Sequence, residues 1–395
     1  MKGIYTMTNE ELLAYRTKLV RDAANGRNED RAPLVSFFVT WKILDAGYKL
    51  SEAMNDFSIM EKVVRHHQEE YNFDMLNDLG IRNPYRLAKA LGSTTYEVND
   101  ETECLSVHDV HVLEPSDIND LTANYMKTLW EKGMPNKFDW WGKETDLGKI
   151  MQSVGEMMQF MGFSGKINQI MTKEYGLPPR VAPNPLPQMS MENILGFLFG
   201  IRGASVLMRR NKEELHNLIN TMGAMFYKPA IAGLSQMPEG QNPAFCYDSL
   251  LAMLAHNFMS PAQFEEFYLP ELKPYLDLIQ EKKQNILIFT EGTILRLKDY
   301  FKDYGKGVIT LLPENDDFFE LHRELPNCSL MGGMPCNLLG HGTKEACIER
   351  AKKVVDEVGK DGGLLFSQDK MGSYRHDATS ENLKAVNDFV REYRG

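Results

Sequence analysis

The sequence predicts an α/β fold built on parallel strands, and three observations carry that reading. Four short apolar runs, Asn285–Phe289, Gly307–Leu311, Ser329–Gly333 and Leu364–Ser367, stop at polar or turn-forming residues. Each is followed by a segment with helical periodicity, and the spacing is too long for hairpins. Short strands apolar on both faces with helical returns are buried parallel strands. In such folds ligand sites lie at the carboxyl ends of the strands. Here those ends offer Glu291, Glu314 with Asn315, Cys336, and Asp369 with Lys370.

In chain order, Asn9–Gly26 is an amphipathic helix with Leu12, Leu13, Tyr15, Leu19 and Val20, and forms an N-terminal extension. Ala32–Thr40 reads as the first strand, Ser51–Tyr71 as one long helix, and Phe73–Asp78 as a strand. Pro84–Gly92 returns as a helix. Alternation replaces the helical period in Thr94–Val98 and Cys104–Val112, an appended antiparallel pair. Pro115–Lys132 is helical from its Pro115–Ser116–Asp117 start.

Gly133–Gln188 departs from this register. It holds Trp140 and Trp141, a cluster of Met151, Met157, Met158 and Met161 with Phe160 and Phe163, and Pro178, Pro179, Pro183, Pro185 and Pro187. This is an excursion that covers either the site or a subunit interface, the latter in a homodimer. The methionines read as plastic core or lid packing, with bulky or variable ligands as the alternative. Asn193–Met208 is apolar with Gly196, Gly200 and Gly203, and Lys212–Tyr227 is a helix. A polar cluster, Cys246, Tyr247, Asp248 and Ser249, falls at an expected strand end, before a helix entered through Ser260–Pro261.

The last third supplies helices over Thr293–Tyr304, Asp316–Leu325 and Thr343–Val358, each with one apolar and one charged face. Thr343 and Ser380 are the expected N-caps of the last two helices. With 43% hydrophobic residues the chain can bury a large core, as one barrel or two domains. A net charge of −11 and a pI of 5.4 argue against a nucleic-acid surface. No apolar stretch of membrane-spanning length and no signal peptide are apparent, so a cytoplasmic protein is expected. The five cysteines form no CxxC pair, which suits a reducing compartment. GxGxxG, Walker, HExxH and GxSxG patterns are missing.

Tyr247–Asp248–Ser249, Ser260-Pro-Ala-Gln-Phe-Glu-Glu-Phe-Tyr-Leu-Pro270, Ile286-Leu-Ile-Phe-Thr-Glu-Gly292, Met331-Gly-Gly-Met-Pro335 and Asp377–Val390 occur in an order that resembles the uroporphyrinogen decarboxylase superfamily. The resemblance is specific over Cys246–Tyr393 and weaker but collinear through Ala32–Val112 and Gly196–Tyr227. It implies a single (β/α)8 TIM barrel over residues 1–395, with Gly133–Gln188 inserted. The decarboxylases of that family carry an Arg-rich motif beside the first strand for the substrate's carboxylates. This chain has Phe37-Phe-Val-Thr-Trp-Lys-Ile-Leu-Asp-Ala-Gly47, with Lys42 as its cation. The family's glycine-flanked His is replaced by Gln368-Asp-Lys-Met371. Asp78 falls close to the Asp that binds pyrrole nitrogens there.

These departures direct the resemblance toward the corrinoid-dependent methyltransferases, which pass a methyl group from a small donor to the cobalt of a corrinoid protein. Several hold zinc through a His-x-Cys pair and a later Cys. Here Phe289-Thr-Glu291 stands at the pair, and Cys336 follows the glycine turn. The resemblance thus implies a zinc site of Glu291 and Cys336, completed by Cys246, Asp248 or His256, hard enough to assist an ether oxygen. Glu291 could instead donate a proton to the leaving oxygen, with Tyr247, Asp248 and Asp369 as relay candidates. Trp41, Phe37, Phe38, Phe289, Trp140 and Trp141 are candidate walls for an aromatic substrate, or core packing. Arg202 would grip a carboxylate or the corrinoid tail, or pair with an acidic neighbour. His66 and His67 read as surface residues. No D-x-H-x-x-G pattern is present, so a corrinoid would arrive on a partner protein. The expected activity is O-demethylation of a small donor such as a methoxylated aromatic; the alternative is decarboxylation of a tetrapyrrole or smaller acid.

Overall fold

The computed structural model describes residues 7–79, 84–109, 111–138, 140–141 and 147–395. Part of the expected excursion, 139 and 142–146, lies outside them. Two very short strands, β1 (Val35–Ser36) and β2 (Met75–Leu76), pair in parallel. An antiparallel hairpin of β3 (Tyr96–Asn99) and β4 (Cys104–Val107) stands apart from them. β5 (Ser249–Met253), β6 (Ile286–Thr290), β7 (Ile309–Pro313), β8 (Ser329–Met334) and β9 (Leu364–Gln368) then form one parallel sheet in sequential order. The four apolar runs of the last third are therefore strands, displaced by at most two residues from their expected starts.

Single bridges extend the sheet at both ends. Leu34 pairs with Phe366 and Phe38 with Gly372, which seats β1 beside β9; Val181 pairs with Tyr247 just ahead of β5. The circuit is β2-β1-β9-β8-β7-β6-β5 followed by the proline-rich segment around Val181. Among the described residues no backbone ladder joins that segment to β2. The Arg180 guanidinium spans the gap instead, donating to the Asn77 carbonyl. The architecture is a TIM-type α/β barrel whose eighth stave is irregular.

Alternation sets the inner face. Val35, Phe37, Met75, Leu287, Phe289, Leu312, Met331 and Leu365 pack together inside the barrel with Val20, Ala23 and Ala24 of the helix Asn9–Ala24. That helix closes the N-terminal rim: Ser329, at the start of β8, donates to the carbonyls of Ala23 and Ala24 at 3.0 Å each. A second, larger core lies between the strands and the outer helices.

Local chemistry explains several departures from expectation. The helix expected over Ser51–Tyr71 breaks at Asp56, whose backbone is extended and whose carboxylate caps Phe57–Tyr71 by accepting from Ser58. The final helix is capped by Thr379 rather than Ser380. Thr293–Tyr304 contains a 3-10 helix over Leu295–Tyr300 in place of an α-helix. His67 is not at the surface: it is fully buried, with Nε2 2.8 Å from Ser36 Oγ. Met151, Met157, Met158 and Met161 are exposed on the helix Leu147–Tyr175, so they are not core. Contrary to the sequence reading, the helical run Ser190–Arg210 is long and apolar enough to cross a membrane by composition; 56% of its most apolar window is packed within this protein.

Candidate functional site

A cavity of about 690 Å³ opens where the strand ladder is interrupted, a size in the range of small-molecule sites. Its inner wall is apolar: Phe37 from the residues after β1, Leu250 and Ala252 of β5, Leu287 and Phe289 of β6, and Leu312 of β7. The other wall is formed by Ser164, Asn168, Met171 and Thr172 of the long helix and by the proline-rich segment Leu177–Pro183. Phe37 meets Phe289 edge to face, with ring centroids 5.3 Å apart, a favoured aromatic geometry. Two of the aromatic candidates thus line one cavity.

The polar part of the lining comes from Ser164, Asn168 and Thr172 of the long helix, from the end of β2 and from the eighth stave. Asn77 donates to the Met331 sulfur at 3.0 Å. Asp78 lines the cavity, as its family position implied, and is held from behind by Lys42, whose Nζ lies 2.9 Å from Asp78 Oδ1 and 2.7 Å from its carbonyl oxygen. Lys42 is fully buried, and burial pushes its pKa down against the pull of Asp78. Arg180 lines the same cavity.

Glu291 follows β6 at the carboxyl rim, where its N–H donates to Met253 and its carbonyl accepts from Asn257 at 2.8 Å. It lies one residue past the end of β6 and is not among the residues that line the cavity. Its neighbour is a residue absent from the expected set. The Glu192 carboxylate accepts from the N–H groups of Leu254 and Ala255, just past β5, and from the Tyr268 hydroxyl at 2.8 Å. Burial raises the Glu192 pKa to about 7 against those hydrogen bonds, with the Glu291 charge adding to the rise. One signal could have marked it: Glu192 is the lone carboxylate between Glu174 and Glu213.

The other candidates divide by rim. Cys336 and Asp369 lie past β8 and β9 at the carboxyl rim, and Asp369 Oδ1 accepts from the Cys336 N–H at 3.0 Å. Burial, with Asp369 beside it, pushes the Cys336 thiol far up. His256 is buried at the same rim, and burial together with Arg296 lowers its pKa to about 4.

Tyr247, Asp248 and Ser249 correct the sequence reading, for they precede or begin β5 instead of ending it and so belong to the N-terminal rim. Asp248 is occupied there by the N–H groups of Asn242 and Asn285 at 2.8 and 3.2 Å. Cys246 and Tyr247 are buried among the floor residues, and burial raises the Cys246 thiol to about 12.

Trp41 lies outside the cavity, its ring tilted against Phe38 with centroids 4.4 Å apart and its indole donating to the Ala378 carbonyl at 3.0 Å, because the chain turns into a short helix after Thr40. Trp140 and Trp141 donate to the carbonyls of Leu91 and Trp130 and do not line it either. Arg202 is exposed on the helix Gly200–Arg210, outside the cavity. The zinc set does not fit this geometry. Cys246 is on the opposite rim from Glu291, and no three His, Cys, Asp or Glu side chains among the described residues are grouped to hold a metal.

Fold and site define an α/β barrel protein with a lined cavity reaching toward the carboxyl rim. Residues 197–393 match the family model described as Uroporphyrinogen decarboxylase (URO-D). A curated uroporphyrinogen decarboxylase from Anaeromyxobacter sp. (strain Fw109-5) is 27% identical over 203 residues, 49% of this chain and 55% of that protein. The chain thus spans about half the length of that relative. A solved structure, a methyltransferase from Methanosarcina mazei, has a TM-score of 0.58 at 12% identity, covering 98% of this chain and 100% of that one; this likeness speaks to the fold. Just under half of the chain, residues 197–393, is thus similar to the uroporphyrinogen decarboxylase family.

Proposed function

We propose that this protein is a methyltransferase that takes a methyl group from a small donor, foremost a methoxylated aromatic, and passes it to the cobalt of a corrinoid carried by a separate protein. The observation that carries the reading is the cavity lining. Its strand wall is aromatic and aliphatic, its polar residues Asn77, Ser164, Asn168 and Thr172 are uncharged, and its described cations are Arg180 and, behind Asp78, a Lys42 already engaged by that carboxylate. A tetrapyrrole polyacid would bury several carboxylates there without partners, at a cost of several kcal/mol for each uncompensated charge. Similarity to a curated decarboxylase supports the alternative, decarboxylation of a tetrapyrrole or smaller acid, and the lining weighs against its tetrapyrrole form.

A corrinoid delivered by the partner would supply the methyl-accepting cobalt. The chain's own residues supply the rest. Phe37, Phe289 and Leu312 exclude water around the donor. Glu192, poised about neutrality and beside Glu291, holds a proton at the rim for the departing oxygen, which an unactivated ether requires. Incubating the purified protein with reduced cobalamin and a panel of methyl ethers, with the demethylated alcohol or phenol measured, tests the reading. Release that needs both protein and reduced cobalamin is expected; carbon dioxide from a porphyrinogen without any corrinoid would overturn it.

A further inference from the structure

The long helix Leu147–Tyr175 has two apolar faces. The inward one buries Ser153, Phe163, Ile167, Ile170 and Met171 and is fastened to the body of the protein: Phe163 stacks on Phe57 with centroids 4.8 Å apart, and Glu156 pairs with Arg86 at 2.7 Å. The outward one carries Leu147, Met151, Val154, Met158 and Met161, each between 49% and 70% exposed, so no described part of the chain covers it. These five residues are spaced four, three, four and three positions apart. An average period of 3.5 keeps one stripe facing a second helix in a left-handed coiled coil, whereas the inward face keeps the ordinary helical period.

Area and order together point to a second copy of this chain. With Met157, the outward side chains leave roughly 700 Å² of mainly apolar surface, above the about 300–600 Å² of the largest patch on a typical monomer and close to the about 800 Å² that each partner gives to a stable interface. Glycines stand on the same face: Gly155 follows Val154 and Gly162 follows Met161, and a Cβ at either would meet nothing within 4 Å. Gly148 follows Leu147 in the same way. An antiparallel copy laid across the stripe, with its two-fold axis between Val154 and Gly155, sets Leu147 against the partner's Gly162, Met151 against the partner's Met158, Val154 against the partner's Gly155 and Met161 against the partner's Gly148. Each bulky side chain then meets a glycine or an adaptable thioether, which allows close approach of the axes. A mirror order of large and small residues about one point is useful to a two-fold pair and to no unrelated partner.

We infer that the protein is a two-fold homodimer joined by an antiparallel pair of these helices over Leu147–Gly162. Two positions further on, Ser164 begins the part of the same helix that lines the cavity, with Asn168, Met171 and Thr172. Dimerisation therefore anchors the helix that forms one cavity wall. Such a dimer is independent of the reaction proposed above.

Light scattering after size exclusion of the full chain tests the inference. A mass about twice that of the 45.2 kDa chain is expected at micromolar concentration. Met151→Glu is expected to raise the dissociation constant at least about tenfold, with an unchanged circular dichroism spectrum because position 151 is exposed. Met151→Lys combined with Met158→Glu sets opposite charges across an antiparallel pair and is expected to restore the dimer; a parallel pair would set like charges together and stay apart. A monomeric wild type, a dimer that Met151→Glu leaves intact, or a double variant no more dimeric than Met151→Glu overturns the inference. If that monomeric wild type co-floats with phosphatidylcholine vesicles and Met151→Glu does not, the stripe is a lipid-facing surface instead.

Discussion

The two halves of the barrel are held together by different physics. From β5 to β9, strands of five or six residues pair edge to edge, and nearly every residue in them is buried. Around β1, β2 and Val181 the paired strands shrink to two residues or a single bridge, and buried charges do the fastening. Asp74 accepts two bonds from Arg31 at 2.7 and 2.9 Å, one from the Leu34 N–H at 2.8 Å, and lies 3.4 Å from Arg16 of the N-terminal helix. Lys42 holds Asp78, and Arg180 reaches Asn77. A ladder leaves no room between neighbouring strands, whereas side-chain clamps do. The cavity therefore lies in the clamped half, with the laddered half as its smooth apolar wall.

The largest effect expected from this contrast is at Asp74. Asp74→Ala strands two buried guanidinium groups and should cost about 3–5 kcal/mol, read from urea denaturation. Burial alone would raise the Asp74 pKa, but the charge and hydrogen bonds of Arg31, aided by Arg16, outweigh it and hold it at about 2. The clamp's contribution is thus fully present above the unfolded carboxylate value and is lost as pH falls through about 2. Acid unfolding of the wild type should show that loss, and the Ala variant should lack it. A loss under 1 kcal/mol would mean that the clamps are incidental and the contrast is wrong.

A smaller effect is expected in the laddered half, where geometry and not charge sets tolerance. Gly333 of β8 has φ +98°, and a Cβ there would lie 2.7 Å from Val354 Cγ1 and 3.2 Å from the Phe318 ring. Gly333→Ala should cost about 1–3 kcal/mol through strain and overpacking, with no dependence on pH between 2 and 4. If its acid profile matched that of the Asp74 variant, the division between the halves would fail.

The subtlest effect belongs to Glu192, at the junction of the two regimes. Its folded pKa, about 7, lies above the ordinary carboxyl value. The folded state therefore keeps a proton that the unfolded chain releases, so stability falls as pH rises from the unfolded value through about 7. Glu192→Gln should flatten that part of the stability profile, whatever fixed offset the amide introduces. Glu291→Gln, by removing the neighbouring charge, should move its upper limit to lower pH. Thermal melts from pH 4 to 8 would show both, and an unchanged slope in Glu192→Gln would refute the raised Glu192 carboxyl.

Legibility followed the same division. Apolar runs of strand length between amphipathic helices marked β6 to β9, Thr343 caps its helix as expected, and a helix is entered through Ser260–Pro261. The strands β1 and β2 were recognisable as segments, but their two-residue pairing was not, because side chains from Arg16 to Arg180 replace the backbone bonds. Reading the cluster Cys246–Ser249 as a strand end put the candidates Cys246, Tyr247 and Asp248 on the wrong rim: a polar cluster marks a strand boundary equally well at either end.

By itself, the amino-acid order determined which segments alternate, which are amphipathic and where most helices begin, since these depend on neighbours within a few positions. It also placed Glu291, Cys336 and Asp369 after strands, and hence on the carboxyl rim. Only the tertiary structure decided that Glu192 comes beside Glu291, that Lys42 is taken up by Asp78, and that Arg180 faces the cavity. Charge pairing and desolvation act through space, between residues that the linear order leaves far apart.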